Sequence, residues 1–221
     1  MLARELISDV VPALKTSDTG TKALSWMEVF RIKHLPIVNH NQFLGLISDS
    51  DIYNLNTPDE PVGNHMLSLQ KPFVNEDQHI YEVIELLSRL ELTLVPVLNA
   101  EKKYLGVVTQ EDLTRRFARL SAMQHPGGII ELEMNDNDYS LTEISGIVEG
   151  NNAKILSLYV SAAEIPSKMR VTLKINQTDL TSVIRTFERY NYAIVASHME
   201  DEDLDEFYQE RFDVFLKFLN T

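Results

Sequence analysis

An internal repeat of about 60 residues limits the folds that this chain can adopt. The run 34–38 (HLPIV) is followed by 44–52 (LGLISDSDI), and the run 94–98 (LVPVL) is followed by 105–113 (LGVVTQEDL). Corresponding prolines are 60 residues apart, and corresponding glycines and aspartates are 61 apart. Self-similarity at a fixed spacing indicates repeated copies of one supersecondary unit. We therefore predict two structurally equivalent copies.

The residue pattern in each copy predicts the order helix, strand, strand, helix. Apolar residues at helical spacing come before both proline-containing runs: Ala23, Leu24, Met27 and Phe30 in the first copy, and Ile80, Val83, Ile84, Leu87 and Leu90 in the second. The apolar runs are short buried strands in a hairpin. A second helix begins at Ser50-Asp51 or Glu111-Asp112. The turn-rich linker 54–63 separates the copies, which we place at 1–60 and 61–122.

A different pattern begins after Pro126-Gly127-Gly128, which cannot continue a helix. Residues 130–134 and 169–175 alternate between apolar and polar side chains, as half-buried strands do. Ser140 and Glu143 predict a capping box. With two helices and two further strands, the order over 128–198 is β-α-β-β-α-β, which is the ferredoxin-like arrangement. The predicted fold class is thus α/β (α+β).

The last segment, 199–221, predicts an acidic amphipathic helix. Its large apolar residues have helical spacing: Leu204, Tyr208, Phe212, Phe215 and Leu219. The acids at 200–203 would lie in the first turn, where they complement the helix dipole. We expect this helix to dock against its own domain, with a dimer contact as the alternative.

Composition excludes several classes of function. The 221 residues are 44% hydrophobic and 24% charged, which is typical of a globular protein. Without cysteine the chain has no disulfide, thiolate metal site or cysteine nucleophile. A net charge of −13 disfavours nucleic acid and anionic membranes as partners. No long apolar run or leader pattern is visible, so the expected location is cytoplasmic. No catalytic or metal-binding motif appears, which predicts a non-enzyme without a metal site.

Both hairpins end in the pattern Gly-apolar-apolar-Ser/Thr-x-x-Asp. The hydroxyl and carboxylate lie together where a strand leads into a helix, and free backbone N–H groups favour an anion there. The carboxylate can accept hydrogen bonds from ribose hydroxyls, while the hydroxyl and amides face a phosphate. The pattern indicates a nucleoside-phosphate site. The alternative is that Ser48 and Thr109 only cap helices and that Asp51 and Asp112 only neutralise the first turn.

The tandem repeat resembles a pair of CBS motifs, a Bateman module, over residues 1–120. The resemblance implies an adenosine ligand, AMP, ADP, ATP or S-adenosylmethionine, with no required cofactor. It carries the nucleotide-binding role to Ser48, Ser50 and Asp51 in one copy and to Thr109 and Asp112 in the other. Residues 128–198 resemble an ACT-like domain, and the order of domains is similar to that of acetoin-utilisation-type regulatory proteins. These resemblances imply a homodimer. Because no effector domain is visible in the sequence, we expect an unidentified target protein in trans.

Two positions depart from the family patterns. Glu111 replaces the serine before Asp112, and like charges about 5 Å apart repel by roughly 3 kcal/mol at an effective dielectric near 20. We therefore expect the first copy to bind a nucleotide more tightly; the second would be empty, or would take S-adenosylmethionine or an uncharged nucleoside. The turn 135–140 lacks the glycine of amino-acid-binding ACT domains, and we interpret Asp136 and Asp138 as part of a solvated turn.

Two functions follow from these observations. The first is a non-enzymatic regulator that senses an adenosine-containing nucleotide through its CBS pair. The second is a ligand-free CBS/ACT dimerisation scaffold with vestigial sites.

Overall fold

The computed structural model describes residues 1–8, 10–65 and 69–199 of the chain. These residues form two compact units, which divide between Arg116 and Phe117. Apart from Met199, the helix predicted for 199–221 lies outside the described residues. In the described part of the chain, no helix is long and apolar enough to cross a membrane.

The first unit contains the two copies of the repeat, except for the last four residues of the final helix. The elements of the first copy are α1 (Gly20–Phe30), β1 (His34–Asn39), β2 (Gln42–Ser48) and α2 (Asp49–Tyr53). Those of the second are β3 (Val74–Asn75), α3 (Ile80–Arg89), β4 (Leu94–Leu98), β5 (Tyr104–Thr109) and α4 (Gln110–Leu120). The predicted order is present in both copies. Each also has an unpredicted parallel pairing before its first helix, between Leu14 and Ile37 and between Val74 and Val97.

The two hairpins have matching registers. His34 is opposite Ser48 in the first, and Leu94 is opposite Thr109 in the second. Both have an irregularity at the same point, after Ile37 in β1 and after Val97 in β4. One core joins the copies, and its buried residues come from both hairpins and from the helices that cover them. The hydroxyl of each motif therefore lies at the end of a strand that the core holds in place.

The segment before each copy crosses to the other copy. The Ser8 N–H donates to the carbonyl of Val107 in β5 at 2.8 Å, and the Leu46 N–H of β2 donates to the carbonyl of Gln70 at 2.9 Å. Residues 1–8 thus lie beside the second hairpin, and residues 69–70 lie beside the first. The sequence repeat does not reveal this exchange.

Two glycines allow these crossings. A Cβ atom on Gly45 would lie 2.5 Å from the Cβ of Leu69, and one on Gly106 would lie 2.5 Å from the Cγ2 of Ile7. Such distances are far inside van der Waals contact. The glycine of the Gly-apolar-apolar-Ser/Thr pattern is therefore required by the approach of the other copy's segment.

The second unit has the predicted β-α-β-β-α-β order. Its elements are β6 (Ile129–Asn135), α5 (Leu141–Gly150), β7 (Ile155–Ala162), β8 (Lys168–Ile175), α6 (Thr181–Arg189) and β9 (Ala193–His198). The strands form one antiparallel sheet in the order β7-β8-β6-β9. This is the ferredoxin-like topology. The predicted α/β (α+β) fold class is confirmed.

The apolar residues that alternate in β6 and β8 form the core of this unit with α5 and α6. Ile130, Leu132, Val171 and Leu173 are fully buried, as is Phe187 of α6. The capping box predicted at the start of α5 is only half formed. The Ser140 hydroxyl accepts from the Glu143 N–H at 3.3 Å, but the Glu143 carboxylate accepts from the Tyr192 hydroxyl at 2.8 Å instead of from Ser140. Burial and this carboxylate raise the pKa of Tyr192 to about 12.

Candidate functional site

The first cleft lies at the end of the first hairpin and encloses about 300 Å³. Its walls come from both copies: His34, Leu46, Ser48, Ser50 and Asp51 from the first, Gln70, Pro72, Leu90 and Leu92 from the second or the segment leading into it. The three residues that the sequence predicts for this site lie together on its wall. The crossing segment supplies Gln70, which the motif does not predict.

Hydrogen bonds at the start of α2 order the polar side chains of this cleft. Asp51 Oδ2 accepts from the Ser48 N–H at 2.8 Å and from the Ser48 hydroxyl at 2.7 Å, while the Asp51 N–H donates to Ser48 Oγ at 3.1 Å. The Ser50 hydroxyl lies 2.8 Å from that of Ser48. Ser48 and Asp51 therefore form a capping box at the start of α2. Because only Oδ2 is used, the other carboxylate oxygen remains available to a ligand.

His34 connects this cleft to the other copy. The Thr93 N–H donates to Nδ1 of His34 at 3.3 Å, and the Thr93 hydroxyl lies 3.1 Å from the same nitrogen. Burial lowers the pKa of His34, with Lys33 adding to this effect and Asp49 and Asp51 opposing it. The imidazole is therefore neutral at pH 7, and its Nδ1 accepts the Thr93 N–H.

His34 should make the protein less stable as the pH falls from 7 to 5. The unfolded chain takes up a proton at the ordinary pKa of 6.5, whereas the folded chain resists protonation to lower pH. Its contribution to stability is thus complete above pH 6.5 and decreases below it. We expect the melting temperature of His34→Gln to fall less over this range than that of the wild type. Parallel pH profiles for the two proteins would contradict this prediction.

The second cleft lies at the end of the second hairpin and encloses about 350 Å³. The second copy contributes Thr93, Thr109, Gln110, Glu111, Asp112 and Arg115, and the first copy and the segment before it contribute Ser8, Val10, Val11, Phe30, Arg31 and Ile32. The Thr109 hydroxyl donates to Asp112 Oδ2 at 2.7 Å and accepts from the Asp112 N–H at 3.1 Å. The predicted pair of Thr109 and Asp112 is therefore brought together here.

Arg115 compensates the charge of Glu111. Its Nη2 lies 2.7 Å from Glu111 Oε1, and its Nη1 lies 3.5 Å from Asp112 Oδ1. These pairs follow from the helical spacing of i to i+4 and i to i+3 along α4. From the sequence alone, Glu111 is expected to repel a phosphate near Asp112. The structure instead places a cation between Glu111 and Asp112, which reduces the expected repulsion.

Several site residues could not be predicted from the motif. Ser8 and Gln70 reach the clefts because the crossing segments exchange copies, and Arg31 and Leu90 reach them because the first helix of each copy ends beside the other copy's site. The one sequence signal for these residues is the alignment of the two copies, which pairs each position of one copy with a position of the other. Thr93 lies one position before β4 and so corresponds to Lys33.

The second unit offers no comparable polar site at the turn after β6. There the Asn135 side-chain amide donates to Asp138 Oδ2 at 2.7 Å within a short 3₁₀-helix, Asp136–Asp138. Among the residues that the structure describes, no group of three or more histidines and acids could hold a metal ion.

The family model for the CBS domain matches residues 3–56 and 65–119, which are the two copies of the repeat. The chain contains a tandem pair of CBS domains. The two clefts therefore lie where the hydroxyl–aspartate pair of each CBS domain meets the other domain.

Two curated relatives match over the same half of the chain. Inosine-5′-monophosphate dehydrogenase of Methanocaldococcus jannaschii is 25% identical over 112 residues, which are 50% of this chain and 22% of the relative. L-aspartate semialdehyde sulfurtransferase of the same organism is 27% identical over 119 residues, 51% of this chain and 23% of the relative. The match thus spans less than a quarter of the length of either relative.

Among solved structures, a CBS domain pair/ACT domain protein from Thermotoga maritima is similar, with 22% identity and a TM-score of 0.48. The alignment covers 54% of this chain and 98% of that one.

Proposed function

We propose that this protein is a non-enzymatic regulator that senses an adenosine-containing nucleotide through its CBS pair. One observation carries the proposal: each cleft combines the hydroxyl–aspartate pair of one CBS domain with side chains of the other. A ligand in either cleft contacts both domains, so its binding favours one arrangement of the pair over others. The regulated target is a separate protein, and the setting is the cytoplasm.

The chemistry of the clefts supports a nucleoside. Their volumes lie at the lower end of the range for small-molecule sites. Apolar side chains, Leu90 and Leu92 in the first cleft and Phe30 and Ile32 in the second, can hold a flat base. The aspartate that lines each cleft can accept from ribose hydroxyls. AMP, ADP, ATP and S-adenosylmethionine are the ligands to test.

A thermal-shift panel of these four compounds tests the proposal. At 100 times its dissociation constant, a ligand that binds only the folded state adds about 2.7 kcal/mol to the free energy of unfolding. We expect at least one of the compounds to raise the melting temperature of the first unit.

Loss of one aspartate should weaken binding at its own cleft. A hydrogen bond to a charged group contributes about 1.5–3 kcal/mol, so we expect Asp51→Asn and Asp112→Asn each to lower the affinity of one site by tenfold or more in calorimetry. Asp49→Asn is the matched control for Asp51. This substitution removes a negative charge from the same first turn of α2. Asp49 accepts from the Ser50 N–H, and Asp49 does not line the cleft. Equal effects of Asp49→Asn and Asp51→Asn would contradict the assignment.

The alternative function is a ligand-free dimerisation scaffold built from the CBS pair and the ACT-like domain. The observation in its favour is that both hydroxyl–aspartate pairs already serve as helix caps. It predicts that none of the four compounds shifts the melting temperature, and that light scattering gives a dimer of about twice the 25.3 kDa chain mass. The homodimer itself is part of both proposals, as is the similarity to acetoin-utilisation-type regulatory proteins.

A further inference from the structure

The two clefts differ in the charge of their walls. Among the described residues that line the first cleft, Asp51 is the one charged side chain, because burial keeps His34 neutral. The second cleft is lined by two cations, Arg31 and Arg115, and by two anions, Glu111 and Asp112. A phosphate group, which carries about −1.5 to −2 charges at pH 7, therefore encounters cations in the second cleft alone.

Arg31 is placed at the second cleft by the end of α1. Its backbone has a φ of 53°, which ends the helix and directs the chain into β1. The corresponding residue in the second CBS domain is Glu91, which follows the C-cap of α3 and has a φ of 52°. Glu91 is flanked by Leu90 and Leu92, both of which line the first cleft. The residue that corresponds to Arg31 is thus an anion, and it does not line the first cleft.

Arg31 makes no ion pair with any residue that the structure describes, and it is exposed. Its guanidinium group is therefore available to a ligand. Arg115 is held by Glu111, but the side chains of this pair are 57% and 76% exposed. Ion pairs with such exposure contribute little stability, so a phosphate can replace Glu111 as the partner of Arg115.

We propose that the second cleft takes a 5′-phosphorylated adenosine nucleotide, with Arg31 of the first CBS domain as its phosphate-binding cation. The first cleft takes an adenosine compound without a phosphate. This assignment rests on the proposed nucleotide-sensing function and deepens it. It reverses the order of affinities expected from Glu111 alone, because Arg31 and Arg115 both line the second cleft.

Calorimetry on the full chain with ADP and, separately, with adenosine tests the assignment. We expect Arg31→Gln to lower the affinity for ADP by tenfold or more, as loss of a charge-assisted hydrogen bond does, and to leave adenosine binding unchanged. Arg116→Gln is the matched control. It also removes one positive charge, but Arg116 lies in α4 and does not line either cleft. Glu111→Gln should raise the affinity for ADP, and added salt should weaken the binding of ADP but not that of adenosine.

A second measurement locates the two ligands without altering Arg31. Asp112→Asn should reduce ADP binding, and Asp51→Asn should reduce adenosine binding. The proposal is overturned if Arg31→Gln binds ADP as the wild type does, or if ADP binding depends on Asp51 and not on Asp112. If the wild type binds neither ADP nor adenosine, the proposed function fails as well. This outcome is distinct from binding that does not respond to Arg31.

Discussion

Replacement of Gly45 by alanine should lower the free energy of unfolding by about 1–3 kcal/mol, the usual cost of overpacking. The new Cβ would lie 2.5 Å from Leu69 Cβ and 3.1 Å from the carbonyl oxygen of Gln70. Neither atom can move by a side-chain rotation alone, so the crossing segment must shift. Gly106→Ala should have a similar effect because its Cβ would lie 2.5 Å from Ile7 Cγ2. Urea unfolding followed by circular dichroism measures both changes.

Gly146→Ala is the control for these two substitutions. Gly146 lies on the exposed side of α5, and an added Cβ there has no atom within 4 Å. Alanine should therefore stabilise this helix by about 0.5–1 kcal/mol. Because Gln70 and Ser8 belong to the displaced segments and line the clefts, Gly45→Ala and Gly106→Ala should also weaken ligand binding. Wild-type stability in both variants would show that the segments do not cross as described.

Thr93→Val should lower the free energy of unfolding by about 1–2 kcal/mol. The Thr93 hydroxyl accepts from the Lys33 N–H at 3.0 Å and lies 3.1 Å from His34 Nδ1. Valine has the same shape but leaves both groups without this partner, and the loss of a partner costs more than the bond itself contributes. Since Thr93 lines the second cleft and His34 lines the first, ligand binding at both clefts should change.

Thr114→Val makes the same chemical change at a position outside the clefts. The Thr114 hydroxyl donates to the Gln110 carbonyl within α4 at 2.9 Å, in an exposed setting. Substitutions at such surface positions usually change stability by less than about 0.5 kcal/mol. If thermal or urea unfolding placed Thr93→Val as close to the wild type as Thr114→Val, the contact between His34 and Thr93 would not join the two domains.

The sequence predicts the parts of this protein that depend on local patterns. The repeat, the hairpins around Pro36 and Pro96 and the β-α-β-β-α-β order depend on spacing and alternation, and the structure contains all three. The hydroxyl–aspartate pairs can be predicted because the two residues of a helix cap are three positions apart in the sequence. The contacts that the sequence predicts thus join residues that are close together along the chain.

What the sequence does not predict depends on contacts between the copies. β3 has only two residues, Val74–Asn75, so it shows no alternation to detect. Gln70 and Ser8 reach the clefts through pairings with the other domain, which no local pattern encodes. Arg31 can be assigned to the second cleft only when the end of α1 has been placed. The pairing of Glu111 with Arg115 likewise depends on side-chain conformations that the motif does not specify.

The crossing of residues 1–8 to the second hairpin also affects the order in which parts of the chain fold during synthesis. Residues 1–8 find their hydrogen-bond partners at Gln78 and Val107, so they leave the ribosome about 100 residues before the strand that they pair with. At translation rates of about 5–20 residues per second, this interval is roughly 5–20 s. During it, Gly106 has not yet been made, and the apolar side chains of Leu6 and Ile7 have no hairpin to cover them. Residues 1–8 are therefore among the last parts of the first unit to be folded, although they are made before either hairpin.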